Sequence, residues 1–179
     1  MPPSMTDLQT RCLDAFPEWL RRLPEDALAL LSVVDDPTAP EASRPVLVGA
    51  LNYLFKSLDL IPDGIEDLGF LDDAFVLRVA AALAAPAGGD RLAELRAEAA
   101  LITELLGKDH ARLAKYVDGL KDGAARGRST AEIVADADIR AEFGRDLTAW
   151  AASYASPSFA RDEKNLVKLT AFLSAKLPA

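Results

Sequence analysis

The chain has 179 residues, half of them apolar and 27% charged, a composition that excludes disordered and collagen-like polymers and gives one domain enough length to bury a core. Its 28 acids against 20 Lys and Arg give a net charge of −8, which excludes the electrostatic attraction that carries nucleic-acid binding. One cysteine, Cys12, excludes an intramolecular disulfide and fits a packing residue in a reducing compartment.

Apolar residues recur at spacings of three and four, Ala and Leu dominate, and β-branched alternation is scarce, so the expected fold class is all-α. The first stripe, Leu8, Cys12, Leu13, Phe16, Trp19 and Leu20, predicts a helix from Thr6 to about Leu23, with Pro17 as a kink or break. Pro24, followed by Glu25 and Asp26, opens a second helix over Ala27–Val34. Asp35–Arg44 reads as a loop. Pro45 opens a helix to about Leu58 that is apolar on nearly every side and therefore central to the core. After Pro62, Gly64 and Gly69 break regular structure, Asp72 or Asp73 caps a helix over about Ala74–Ala85, completing a hairpin.

Asp90 is expected to cap a helix whose face is Leu92, Leu95, Ala99, Ile102 and Leu106, stopped by Gly107. The next helix, near Asp109–Ala125, carries Leu113, Val117, Leu120 and Ala124 on one side. Ser129 with Glu132 forms a capping-box pattern opening a segment to about Tyr154, with a break near Phe143–Gly144, and a last helix runs from Asp162 to Leu177. Residues 5–178 thus predict one compact orthogonal bundle of seven or eight helices. No apolar run reaches the roughly 20 residues of a membrane span, and the amino-terminal residues lack a basic stretch followed by an apolar run, so a cytoplasmic location is expected.

Charge is uneven: residues 1–90 carry −9 and residues 91–179 carry +1. The acidity culminates between Asp59 and Asp73, where Asp59, Asp63, Glu66, Asp67, Asp72 and Asp73 alternate with Leu60, Ile61, Ile65, Leu68, Phe70 and Leu71, and no base intervenes. Carboxylates among apolar residues require backbone donors, a base or a cation; Lys56 and Arg78 are the nearest bases. Three uses stay open. The aspartates are caps and turn formers, with Asp59 accepting backbone hydrogens and Pro62 fixing the turn. Asp59, Asp63, Asp67, Asp72 and Asp73 hold Mg²⁺ or Ca²⁺ and support a metal-dependent hydrolase. Or Asp59, Pro62, Asp63, Gly69, Asp72 and Asp73 form a partner-binding edge. An EF-hand fails, because a loop starting at Asp59 puts Ile61 third and Phe70 twelfth.

The stretch Leu54–Leu77, LFKSLDLIPDGIEDLGFLDDAFVL, resembles the YkvA-like family, domain of unknown function 1232, over about residues 46–85. Asp59, Leu60, Ile61, Pro62, Asp63, Leu68, Gly69, Leu71, Asp72 and Asp73 fall on the family pattern, while Leu58 and Glu66 stand where the family has prolines. The resemblance implies a helical hairpin, brings no settled activity, and implies membrane association for many members.

Enzyme motifs are absent elsewhere. His110 is the only histidine, which rules out HExxH, paired-His sites and a Ser-His-Asp triad within the chain. GxSxG, GxxxxGK[ST] and GxGxxG do not occur. Lys108, Arg112 and Lys115 share one helix face, with Lys121, Arg126 and Arg128 beyond it; a solvated face, anionic lipid headgroups and a second copy's acidic half are its readings. The leading expectation is a non-enzymatic interaction or scaffold protein without a cofactor, acting through a protein partner, with homo-oligomerisation left open; the alternatives are the metal-dependent hydrolase and a peripheral membrane protein.

Overall fold

A computed structural model of the chain describes residues 6–56, 60–61 and 68–179. Eight α-helices are found among them: α1 (Asp7–Val34), α2 (Ser43–Tyr53), α3 (Leu71–Leu83), α4 (Asp90–Leu106), α5 (His110–Gly119), α6 (Thr130–Ala135), α7 (Ala137–Ser153) and α8 (Glu163–Lys176). Short 3₁₀ turns flank α5 at Gly107–Asp109 and Leu120–Asp122, and a two-stranded hairpin, β1 (Ala124–Ala125) with β2 (Arg128–Ser129), precedes α6. The all-α expectation holds, and buried apolar side chains from all eight helices form one cluster.

No break occurs at Pro17, and Pro24 does not start a second helix: α1 runs through both. Its start is fixed by a capping box: Thr6 Oγ1 accepts from Gln9 N–H and Gln9 Oε1 accepts from Thr6 N–H. Pro24 has no N–H for the Leu20 carbonyl four residues earlier. The Tyr154 hydroxyl donates to that carbonyl instead, at 2.6 Å. At the other end the Arg44 guanidinium donates to the carbonyls of Val34 and Asp36, replacing helix bonds that the last turn lacks.

Helices α2 and α3 form the expected hairpin at the centre, touching each other and α1, α5 and, for α3, α4. α2 ends five residues earlier than Leu58, which lies outside the described residues, and it is buried over Val46–Tyr53 as expected. At Gly49 the helix meets the chain backbone directly: a Cβ there would lie 2.8 Å from the Leu120 carbonyl carbon and 2.9 Å from Lys121 N. α3 is buried from Leu71 to Ala81. Its Arg78 is completely covered.

Helix α4 has the expected buried face, Leu92, Leu95, Ala99, Ile102 and Leu106, and stops at Gly107 with φ +53°. Asp90 is its first helical residue rather than its cap, which is Gly89. α5 ends before the expected Ala125, and Ala124 is exposed in a strand, because Arg126 (φ +50°) and Gly127 (φ +76°) turn the chain into a two-residue hairpin loop. The Ser129–Glu132 capping box forms in both directions. The following break falls at Asp136, not at Phe143–Gly144. Asp136 Oδ1 accepts from the N–H groups of Asp138 and Ile139 and opens α7 as its cap. Asp162 caps α8 through Lys164 N–H.

Candidate functional site

The acidic segment enters the core at its described end. Tyr53, the last residue of α2, donates its hydroxyl to Asp72 Oδ2 at 2.5 Å and accepts from Leu60 N–H at 2.7 Å. Asp72 Oδ2 also accepts from Ile61 N–H at 3.3 Å. One phenol and one carboxylate thus fasten the backbone at Leu60 and Ile61 to the end of α2 and the start of α3. All four residues are at most 4% exposed, so each bond is made in a medium that cannot replace it with water. Burial, reinforced by the charges of Asp72 and Asp73, pushes the Tyr53 phenol far above its ordinary value and keeps it a donor.

These positions correct the cap reading. Asp72 and Asp73 lie inside the first turn of α3, and the residue before the helix is Phe70, at φ +66°. That left-handed turn carries the Phe70 ring edge-on to Tyr154, 5.5 Å between centroids. Gly69, Asp72 and Asp73 are buried, so the described part of the segment presents no acidic surface. Asp59, Pro62, Asp63 and Asp67 lie outside the described residues. Among the described residues no group of three or more His, Cys, Asp or Glu side chains is placed to hold a metal ion.

A second buried polar group, which sequence reasoning missed, sits nearly two turns further along α3. Arg78 Nη2 donates to Asp26 Oδ2 at 2.9 Å and lies 3.4 Å from Glu98 Oε1; Nη1 donates to the Ala74 carbonyl at 3.1 Å. The guanidinium carbon stands 4.2 Å from the Trp19 ring centroid, and Trp19 Nε1 donates to Glu98 Oε2 at 2.5 Å. Arg22 closes the set on Glu98, Asp26 and Glu94. Burial holds Asp26 above and Arg78 below their ordinary values, while each charge steadies the other. For Arg22 burial works downward too, but Asp26, Glu98 and Glu94 outweigh it. The group ties α1, α3 and α4 together. Its signal in the sequence was the lone arginine in the apolar run AFVLRVAAAL, which requires a buried acceptor. That acceptor is Asp26, not the acidic segment.

The cations expected to form one basic face are largely spoken for. Arg112 donates to the carbonyls of Ser174, Leu177 and Pro178 at the end of α8 and to Asp109. Lys121 pairs with Asp118, Arg128 pairs with Asp146 at 2.8 Å, and the Arg126 guanidinium covers the Phe55 ring at 4.7 Å. His110 is half-buried at the start of α5. Among the described residues no helix is long and apolar enough to cross a membrane.

A groove of about 650 Å³ lies between α1 and α7, lined by Leu31 and Asp35 from the α1 side and by Arg140 and Arg145 among the α7 residues. Its lining includes the row Ala137, Ala141, Gly144, Thr148 and Ala152, spaced by four, three, four and four residues along one face of α7. No curated protein and no solved structure matches the chain. Residues 44–78, about a fifth of the chain and the stretch that supplies Tyr53, Asp72 and Arg78, match the family model described as protein of unknown function DUF1232.

Proposed function

We propose that the protein is a non-enzymatic interaction module that receives an amphipathic helix of a partner protein in the groove between α1 and α7. The observation that carries this reading is the composition of α7. It lies on the outside of the bundle, with only Phe143 and Leu147 of its 17 residues buried, yet its groove face carries small side chains instead of a solvated charged row. Small side chains let a second helix approach closely, where dispersion contacts are dense. Arg145 is exposed on the wall, without an ion pair among the described residues, which favours acidic residues flanking the incoming apolar stripe. The commitment of Asp72 to Tyr53 and Ile61 supports a structural use of the acidic segment.

The test is a selection of displayed helical peptides against the folded protein, repeated against Ala141→Arg. Ala141 is exposed, so the substitution fills the groove without entering the core. The expected binders carry apolar residues at helical spacing with flanking Asp or Glu, and lose binding to Ala141→Arg. A selection without binders, or binders indifferent to the substitution, overturns the reading.

A further inference from the structure

Two lysines border one hollow beside the end of α2. Lys56 follows α2 and Lys115 lies on α5; with Tyr116, Gly119 and Gly123 they line a hollow of about 310 Å³, closed on one side by Pro178 and Ala179. Lys56 Nζ is 3.3 Å from the Tyr116 hydroxyl and 5.5 Å from its ring centroid. Neither lysine forms an ion pair among the described residues, in a chain of net charge −8. Asp122 and the carboxylate-bearing Ala179 also line the hollow, so acids offset most of the two lysine charges among the described residues. That balance suits a monoanion better than a multiply charged ligand.

The hollow shares Lys56, Leu120 and Gly123 with a recess of about 20 Å³ whose walls include Asn52, Tyr53 and Thr130. Asn52 is 3% exposed. Its Nδ2 donates to the Arg128 carbonyl at 3.2 Å, which fixes the amide orientation, and its Oδ1 has no hydrogen-bond partner among the described residues. A buried carbonyl oxygen left unpaired is costly, and the recess is large enough for one water-sized group.

We infer that this hollow binds a small monoanion that also carries an O–H or N–H donor, with the charge between Lys56 and Lys115 and the donor in the recess on Asn52 Oδ1. Hydroxycarboxylates and dihydrogen phosphate share that chemistry. Two probe pairs isolate the donor: glycolate against acetate, which differ by a hydroxyl, and dihydrogen phosphate against dimethyl phosphate, monoanions of which only the first carries an O–H. Amide NMR titration of the full chain reads saturable shifts at Lys56, Tyr116, Gly119 and Gly123. The donor-bearing member of at least one pair binds about tenfold more tightly or better, the worth of satisfying one buried acceptor. Lys115→Met weakens that binding, and Asn52→Leu erases the difference within the pair. Because Asn52→Leu also loses the bond to Arg128, the wild-type comparison stands as a test without it. Preference for glycolate identifies a carboxylate source and preference for phosphate a phosphate source. Equal affinity within both pairs, absence of saturable shifts, or indifference to Lys115→Met overturns the inference.

Discussion

Replacing Tyr53 with Phe tests whether the phenol fastens the acidic segment to the core. The ring stays, with its edge-on contact to Tyr116 at 6.2 Å, so the change removes little more than one oxygen. That oxygen makes two bonds: a 2.5 Å donation to the Asp72 carboxylate and a 2.7 Å acceptance from Leu60 N–H. A hydrogen bond to a charged group contributes about 1.5–3 kcal/mol, and a buried backbone N–H stripped of its acceptor costs about 1–3 kcal/mol. The two overlap, because the groups relax together, and the expected loss is about 2–4 kcal/mol. For a chain of this length each kcal/mol lowers Tm by about 2–4 °C, so Tm falls by roughly 5–15 °C. Urea unfolding followed by circular dichroism reads the same loss as a lower midpoint with unchanged slope. In a double-mutant cycle with Asp72→Asn the two losses are less than additive, since both remove the same bond. A loss under about 0.5 kcal/mol for Tyr53→Phe, the range of an ordinary surface substitution, refutes the clamp.

Four further outcomes are expected. Gly49→Ala destabilises by about 1–3 kcal/mol despite the better helix propensity of Ala, because its methyl meets the backbone of Leu120 and Lys121; a more stable variant in thermal melts contradicts the close approach. Arg78→Met costs about 3–5 kcal/mol by removing the buried partner of Asp26 and Glu98 and leaving them only Arg22 as a cation, and adding Asp26→Leu recovers part of it; no recovery means that shape rather than charge was lost. Asp36 is held down at about 2 by the Thr38 hydroxyl and N–H and by Arg91. Its folded value is below the unfolded one, so its contribution is present above 3.8 and lost as pH falls through about 2; Asp36→Asn flattens that acid limb of the stability profile, and an unchanged limb refutes the assignment. Burial pushes the Cys12 thiol up to about 11, so an aromatic disulfide reagent leaves the native protein unlabelled and reacts once urea unfolds it; native labelling at the same rate contradicts the packing role.

Periodicity made the buried faces legible, and the face of α4 is the clearest case, with every expected residue buried. The local cap of α6 was equally readable, because Ser129 and Glu132 satisfy each other within four residues. What escaped were bonds between residues distant in the chain. Pro24 reads locally as a helix start, and only Tyr154, 130 positions further on, explains why α1 continues through it. Arg112 reads as part of a solvated stripe, whereas it holds the end of α8. Arg96 likewise donates to the carbonyls of Ala81, Ala87 and Gly89 at the turn between α3 and α4. Counting charges along a helix assumes that each guanidinium faces water, and these face carbonyls instead.

The same distinction separates the family segment from the candidate binding surfaces. Among the described residues of 44–78, Asp72 and Tyr53 work inward on the backbone of Leu60 and Ile61, and Arg78 on Asp26 and Glu98. Asp72 therefore reads as reactive when considered alone, and as a fastening once its partners are known. The α7 groove lies wholly outside that segment, and the Lys56 hollow draws on it only through Lys56, while the adjoining recess adds Gly49, Asn52 and Tyr53. A protein with the same hairpin but without small residues along α7 is expected to keep the fold and lose the partner helix. Grafting Arg at Ala141 and at Ala152 separates the two properties in one chain: an unchanged Tm with loss of selected peptides assigns recognition to α7, and a collapse of Tm would show that the groove face is part of what holds the bundle together.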